Sequence, residues 1–199
     1  MKGHGITTFM NRANCGHYLV ATIKPGKQRG VSLVEVMIVV SIMVILLGTA
    51  VPSLQEFLAH RRLEGRALEL VTDIHYVRSE AVARNRGMRI SFGSDSGGTC
   101  YVLHTGDAGD CVCSSAGAAQ CSDTNSFVIK NVGFATDQGV RLQANVSSML
   151  FDPIRGTTTP AGSINFVANS GATLRHVVNI LGRTRTCSPE GSVNGYKAC

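Results

Sequence analysis

The sequence predicts an α+β fold in which a long N-terminal helix, its first half transmembrane, packs against an antiparallel β-rich C-terminal domain. A mostly apolar run of about 21 residues follows Gly30 and ends near Pro52; at about 1.5 Å per helical residue it spans about 30 Å, the thickness of one bilayer core. An amphipathic helical pattern then continues to about Arg84, and the rest of the chain alternates short strand patterns with turns.

The apolar run contains a single carboxylate, Glu35, five residues after Gly30. A charge inside such a helix is costly in lipid and usually marks a functional contact. A cleaved secretory signal has an apolar region of only about 7 to 15 residues. An ordinary membrane anchor explains the hydrophobicity but leaves Glu35 unexplained.

Between residues 54 and 84, apolar side chains recur at three- and four-residue spacing, as in a helix with one buried face. These positions are Leu63, Ala67, Leu70, Ile74, Val77 and Ala81. Pro52 predicts a bend because proline removes one helical hydrogen bond. The segment Asn85 to Gly87 predicts the end of the helix.

Strand patterns bounded by turn residues follow the helix, and the β-rich part is expected to cover the apolar stripe. The predicted strands are 88–92, 101–104, 126–131, 140–144, 163–167 and 176–181. Residues 93–125 are rich in Gly, Ser, Asp and Cys, which predicts a long excursion tied by disulfides.

The net charge of +6 belongs mainly to the N-terminus, because residues 1–30 hold five of the 19 Lys and Arg and none of the 13 acidic residues. The remainder carries 14 cations against 13 anions, a net charge of +1. Within it, residues 153–199 carry five cations against Glu190 alone. A polyanion would therefore bind in this last quarter.

Seven cysteines are present, and Cys15 lies in the N-terminal basic stretch. The other six suggest disulfides in an oxidising compartment. They are Cys100, Cys111, Cys113, Cys121, Cys187 and Cys199. Sequence proximity favours a bridge between Cys187 and Cys199 and two bridges among the first four, but 15 pairings stay open. The spacing does not suggest a metal site.

No catalytic constellation emerges from the sequence. The six histidines are scattered, and no nucleophile elbow, phosphate-binding loop or zinc-protease motif is present. The sequence therefore predicts neither an enzyme nor a cofactor.

The segment from Lys27 to Pro52, with Gly30 before the apolar run and Glu35 within it, resembles the class III signal of type IV prepilins and pseudopilins. The resemblance implies cleavage by prepilin peptidase after Gly30, N-methylation of Val31, and assembly into a fibre through Glu35. It also implies the partners: other pilins or pseudopilins, the inner-membrane assembly platform and the inner membrane itself.

Three further segments resemble the GspH/FimT family: residues 73–85, residues 151–156, and the GRxR motif at residues 182–185. The family implies a type IV pilin-like fold. Its domains would be a leader (1–30), a transmembrane and assembly helix (31–53), an amphipathic periplasmic helix (54–87) and a β-rich periplasmic domain (88–199) with an insertion at about 93–125. The subunit would cross the bacterial inner membrane once and then enter a pilus or pseudopilus.

Arg183 and Arg185 are the sharpest candidates for a binding site. They are two residues apart, so on a strand both point to one face, and the planar arginine fork suits phosphate. FimT-like minor pilins are associated with DNA binding in natural transformation, and the resemblance places that role on this motif. Arg175 and Lys197 would extend the patch.

Alternatives stay open at this point. Instead of binding DNA, the two arginines could contact a neighbouring subunit or lie on the solvated surface. Instead of a FimT-like pilin, the chain could be a GspH-like minor pseudopilin of a type II secretion system, acting in secretion without DNA binding. A membrane-anchored binding module with no role in a fibre would keep its leader uncut.

Overall fold

A computed structural model describes residues 30–199, apart from the side chains of Thr49 and Pro52. The predicted leader up to residue 29, including Cys15, lies outside the described residues. The chain divides into two units, one ending at Gly48 and the other spanning Thr49–Cys199.

One α-helix, one short 3-10 helix (Thr136–Gln138) and eleven strands are assigned in the described part. In chain order, the α-helix and the strands are α1 (Leu33–Arg84), β1 (Met88–Asp95), β2 (Gly98–Thr105), β3 (Cys111–Val112), β4 (Gln120–Cys121), β5 (Val128–Ala135), β6 (Val140–Ala144), β7 (Ser148–Phe151), β8 (Thr158–Thr159), β9 (Gly162–Ala168), β10 (Thr173–Val178) and β11 (Thr184–Cys187). The 3-10 helix lies between β5 and β6.

The first unit holds the apolar start of α1. The most apolar 18 residues of α1 have a mean hydropathy of 2.6, and none of them is buried within the described chain. By length and composition, the helix can therefore cross a membrane. Residues on both sides of Pro52 are helical, and the bend predicted there stays a prediction.

In the second unit, α1 buries the stripe that the spacing predicts, and all six residues are at most 1% exposed. Burying a leucine or isoleucine side chain contributes about 1.5–3 kcal/mol, so this stripe attaches the helix to the domain. The helix ends where predicted, since Asn85 takes a left-handed conformation with φ of 49°.

The strands form two antiparallel sheets. The five-stranded sheet has the order β5-β2-β1-β7-β8, the four-stranded sheet has the order β11-β10-β9-β6, and β3 pairs with β4 in a separate ribbon. This architecture, a long apolar N-terminal helix followed by an antiparallel domain, is the α+β fold that the sequence predicts.

A row of rings runs through the core and joins the inner faces of the two sheets. Tyr101 of the five-stranded sheet lies 6.0 Å from Phe134, which lies 5.6 Å from Phe166 of the four-stranded sheet. His176 continues the row at 5.5 Å from Phe166. The tilted and edge-on contacts are the favoured geometries for aromatic pairs.

The excursion is shorter than the sequence predicts. Residues 93–105 belong to the β1–β2 hairpin, in which Asp95 pairs with Gly98, and the excursion occupies residues 106–127. It folds back over the outer face of the five-stranded sheet. A Cβ on Gly133 of that sheet would lie 2.0 Å from the backbone oxygen of Ser115, so the approach needs glycine there.

Three disulfides tie the domain, which confirms the prediction of disulfide bonds. The pairs are Cys100–Cys113, Cys111–Cys121 and Cys187–Cys199. The first two hold the excursion, and the third closes the C-terminal segment onto the end of β11.

Candidate functional site: the C-terminal strand and the open sheet face

Arg185 lies on the edge strand β11, a strand that the sequence analysis did not predict. It pairs with Val177 of β10, while the next residue, Thr186, pairs with His176. Because side chains alternate across a strand, Thr186 faces the buried His176 and Arg185 faces outward. Arg185 is exposed.

A buried histidine holds β11 in this register. His176 Nε2 lies 2.8 Å from the carbonyl oxygen of Ala67 on α1, and Nδ1 lies 2.8 Å from Thr186 Oγ1. A carbonyl can only accept, so Nε2 carries the proton and Nδ1 accepts from the Thr186 hydroxyl. Burial lowers the pKa of His176, which keeps the ring neutral for this bridge.

Arg183 sits at the end of the tight turn between β10 and β11. Asn179 N–H donates to the Arg183 carbonyl at 3.1 Å, and Arg183 N–H donates to Asn179 Oδ1 at 2.9 Å. Gly182 has φ of 70°, a conformation that favours glycine. The turn leaves Arg183 exposed immediately before β11.

The three family-like segments meet beneath this turn, at Arg78 of α1. A Cβ on Gly182 would lie 3.3 Å from Arg78 Cδ, and one on Gly156 would lie 3.5 Å from Arg78 Nε. Thr158 N–H donates to the Ile180 carbonyl at 2.7 Å, which joins the two turns. Arg78 therefore packs under both glycines and has a structural role there. Glu80, two residues further along α1, forms an ion pair with Arg84.

Arg175 and Lys197 flank the pair in different ways. Arg175 Nε donates to Asn165 Oδ1 of β9 at 2.8 Å, which holds the guanidinium along the outer sheet surface. Lys197 is exposed in the C-terminal segment, where its carbonyl accepts from Ser188 N–H at 2.9 Å. Ser188 directly follows β11, so the backbone of Lys197 lies at the end of that strand.

The charge of these four residues is not compensated by ion pairs. Within residues 30–199, neither Arg175, Arg183, Arg185 nor Lys197 lies within 4.0 Å of a carboxylate. Tyr196, the aromatic residue next to Lys197, packs against the hydrophobic core, and its partial burial raises its pKa. The site thus offers cations without an adjacent free ring.

Sequence reasoning did not include Arg141, although it did predict the strand. Arg141 on β6 is exposed and alternates with the buried Val140 and Leu142. That alternation was the available signal, since it puts Arg141 on the outer face of the same sheet as Arg175.

A buried serine–histidine pair lies outside this site. Ser91 Oγ and His104 Nε2 are 2.8 Å apart, and His104 Nδ1 lies 2.9 Å from the carbonyl of Thr105. Burial lowers the pKa of His104. Both side chains are buried, and a backbone carbonyl takes the place of a carboxylate, so the pair serves as a link between β1 and β2.

In the first unit, Ser32 directly precedes α1, and Glu35 lies in the first turn of the helix. Glu35 N–H donates to Ser32 Oγ at 3.2 Å, as at an N-cap. Carboxylates are favoured at this end of a helix by the exposed N–H groups. The Glu35 side chain is exposed, and Val31, whose exposure is 68%, directly precedes Ser32.

A long apolar N-terminal helix followed by an antiparallel β domain defines the class of pilins and pseudopilins, and family comparisons agree. The model of the Prokaryotic N-terminal methylation motif matches residues 25–51, and that of Type II transport protein GspH matches residues 66–182. The second match covers more than half of the chain, so this chain belongs to the GspH family. No curated protein matches the chain significantly.

Comparison with solved structures finds, among others, two crystal forms of the type IV minor pilin FimU from Pseudomonas aeruginosa. One form is 17% identical in sequence, with a TM-score of 0.47, and the match covers 63% of this chain and 87% of that chain. The other form is 19% identical, with a TM-score of 0.44, and the match covers 62% of this chain and 90% of that chain. The minor pseudopilin EpsH from the type 2 secretion system of Vibrio cholerae is 12% identical in sequence, with a TM-score of 0.42, and the match covers 64% of this chain and 98% of that chain.

Membership in the family makes the chain a minor pilin or pseudopilin of a type IV pilus or a type II secretion system. Such proteins are structural subunits, which assemble with other pilins after processing by prepilin peptidase. The matched region ends at Gly182, so Arg183 and Arg185 lie just beyond it.

Proposed function

We propose that this chain is a FimT-like minor pilin of a type IV pilus, which binds DNA for natural transformation through Arg183 and Arg185. One observation carries the proposal: both arginines are exposed and form no ion pair within residues 30–199, and they lie on and beside an edge strand whose register is fixed. Arg175 and Lys197 add charge at the sheet surface and at the end of β11.

The chemistry of this site suits a phosphate backbone. Arginine presents five N–H donors in a planar fork that matches phosphate oxygens. The His176 bridge and the Cys187–Cys199 disulfide hold the strand before DNA arrives, so less conformational freedom is lost on binding. The three disulfides also support an extracytoplasmic, oxidising location for the domain.

The N-terminal half brings the subunit to the fibre. In this proposal, prepilin peptidase cuts after Gly30, Val31 is N-methylated, and residues 31–53 hold the chain in the inner membrane with residues 54–199 in the periplasm. The match of the methylation motif to residues 25–51 supports these steps. In the fibre, Glu35 would pair with the ammonium of a neighbouring Val31, because a carboxylate buried among apolar helices needs a cation.

The test compares charge-matched variants of the full chain in non-ionic detergent, made under oxidising conditions. Arg183→Ala/Arg185→Ala should lose most of the affinity for a fluorescent DNA duplex at low salt. Arg62→Ala/Arg84→Ala removes two exposed arginines from α1 and should bind like the wild type. Equal binding by both double variants would contradict the proposed site.

A GspH-like minor pseudopilin of a type II secretion system is the second candidate. The description of the matched family favours it, and so does the end of the match before Arg183. This candidate predicts that the wild-type chain binds DNA no more tightly than Arg183→Ala/Arg185→Ala at any salt concentration. In that case, the two arginines would be surface or subunit contacts.

A further inference from the structure

We propose that the DNA site extends across the whole outer face of the four-stranded sheet, from the β10–β11 turn to Arg141 on β6. This inference rests on the proposed function, because it names further residues of the same site. It makes the sheet surface a platform for the phosphate backbone, of which Arg183 and Arg185 form one end.

The strand register puts the arginines on one surface. Arg185 pairs with Val177, two residues beyond Arg175 on the same strand, so these three side chains share a face. Arg175 pairs with Asn165 of β9, and Asn165 pairs with Gln143, two residues beyond Arg141. The outer face thus carries Arg141, Arg175 and Arg185 on three of its four strands.

This face carries positive charge and no carboxylate. Strands β6, β9, β10 and β11 contain no Asp or Glu, and Arg141, like Arg175 and Arg185, has no ion pair within residues 30–199. The nearby Asp95 lines the same cleft as Arg141. Its oxygens, however, accept hydrogen bonds from Ser115 and Gly97.

The two sheets differ in what covers their outer faces. On the five-stranded sheet, the excursion buries Cys100 and Val102 of β2 against Cys113, so that part of the face is covered. On the four-stranded sheet, the outward residues of β6, β9 and β10 are all half-buried or exposed, in alternation with a buried inner row. The outward row of β6, β9 and β10 is thus open to a large ligand, whereas on β11 the outward Cys187, opposite Arg175, is buried beside its disulfide partner Cys199.

The dimensions suit a nucleic acid strand. Three gaps between neighbouring strands span about 14 Å, and a DNA strand advances about 3.4 Å per phosphate, so the face matches about four phosphates. Asn165 and Gln143 lie between the arginines and offer hydrogen bonds of the kind that position a backbone. The outer positions of these strands carry no aromatic side chain, so base stacking is not available and binding should depend steeply on salt.

The experiment measures the salt dependence of duplex binding for single variants of the full chain in non-ionic detergent. Arg141→Gln and Arg175→Gln should each weaken binding several-fold and reduce the slope of log affinity against log salt by about 0.9, the value for one lost phosphate contact. Arg141→Lys keeps the charge and should keep the slope. Arg62→Gln, on α1, is the matched control, and the cations of residues 1–30 are common to all variants.

The outcomes separate the two proposals. If Arg141→Gln has the affinity and slope of Arg62→Gln while Arg183→Ala/Arg185→Ala abolishes binding, the extended platform is overturned and the proposed function stands. If Arg183→Ala/Arg185→Ala binds like the wild type, the proposed function itself is overturned. Circular dichroism melts of each variant verify that the domain is folded, and the exposed side chain of Arg141 makes no hydrogen bond within residues 30–199 whose loss would unfold it.

Discussion

Tyr101→Phe should lower the free energy of unfolding of the domain by about 2 kcal/mol, because it removes a hydrogen bond to a buried carboxylate. Tyr101 Oη donates to Asp73 Oδ2 at 2.7 Å, and Asp73 is 6% exposed. Lys130 Nζ also donates to both Asp73 oxygens, at 2.9 and 2.8 Å. This cluster joins α1 to β2 and β5.

The magnitude follows from what remains after the change. A hydrogen bond to a charged group contributes about 1.5–3 kcal/mol, and the middle of the range applies because Lys130 still satisfies the carboxylate. Lys130→Met should cost more, about 3 kcal/mol, since it leaves Asp73 without a cation. The full cost of a broken buried pair is not reached, because the Lys130 side chain is 39% exposed and water can approach.

Thermal unfolding of the full chain in detergent, followed by circular dichroism, measures both changes. A loss of 2 kcal/mol corresponds to about 4–8 °C in a chain of this size. Tyr76→Phe removes the hydroxyl of an exposed tyrosine on α1, the helix that carries Asp73. This control should leave Tm unchanged. Asp73→Asn/Lys130→Met should be more stable than Lys130→Met, because it removes the uncompensated charge.

Two results would refute this reasoning. One is a Tyr101→Phe variant that melts with the Tyr76→Phe control. The other is an Asp73→Asn/Lys130→Met variant that is no more stable than Lys130→Met. Either would mean that the carboxylate is hydrated and that the cluster does not hold α1 on the sheet.

Three further predictions concern the excursion, acid stability and assembly. Gly133→Ala should displace the excursion, because the added Cβ would lie 2.0 Å from the Ser115 oxygen, and it should cost about 3 kcal/mol in stability. Limited proteolysis within residues 106–127 should then be faster than in the wild type, and an unchanged rate would contradict this packing. Stability should fall as the pH drops below about 6.5, because burial lowers the pKa of His104 and His176, so the unfolded chain takes up protons that the folded chain does not. Melts at successive pH values test this, and a Tm that is constant from about pH 7.5 to 5 would be inconsistent with two buried neutral rings. Glu35→Ala should insert into the membrane but fail to enter fibres. Membrane fractionation and immunolabelling of pili measure the two steps, and normal assembly of the variant into fibres would contradict the role of Glu35.

The helix was predictable from sequence because its signal is periodic over many turns. Six apolar positions repeat between Leu63 and Ala81, and packing against the sheets buries every one. The N-terminal segment was predictable as a membrane-spanning helix because its apolar run has bilayer length, and its class came from the resemblance of Gly30 and Glu35 to the prepilin signal.

The edges of the β domain were not predictable, because local propensity competes there with tertiary contacts. The predicted strand 176–181 ends at Val178 instead, and Ile180 and Leu181, which have strand-like composition, occupy a turn and are 62% and 56% exposed. The strand β11 has a polar sequence, and its place is set by the buried His176 more than by its own pattern.

The candidate site was predictable in part. The two arginines are visible in the sequence as a short basic motif, but the platform depends on which strands are neighbours. Arg141 and Arg175 are 34 residues apart in the chain, and only the order β11-β10-β9-β6 brings them to one surface. Strand order depends on the packing of the whole domain and cannot be derived from spacing.

The most direct test of the proposed function is the equilibrium affinity of the wild-type chain for duplex DNA, measured over a series of salt concentrations beside Arg183→Ala/Arg185→Ala. The account predicts tight binding at low salt and a slope of log affinity against log salt steeper than about −3, from at least four phosphate contacts. In the double variant, both the affinity and the slope should fall sharply. A wild-type chain whose affinity and salt slope equal those of the double variant would contradict it and leave the secretion pseudopilin as the better description.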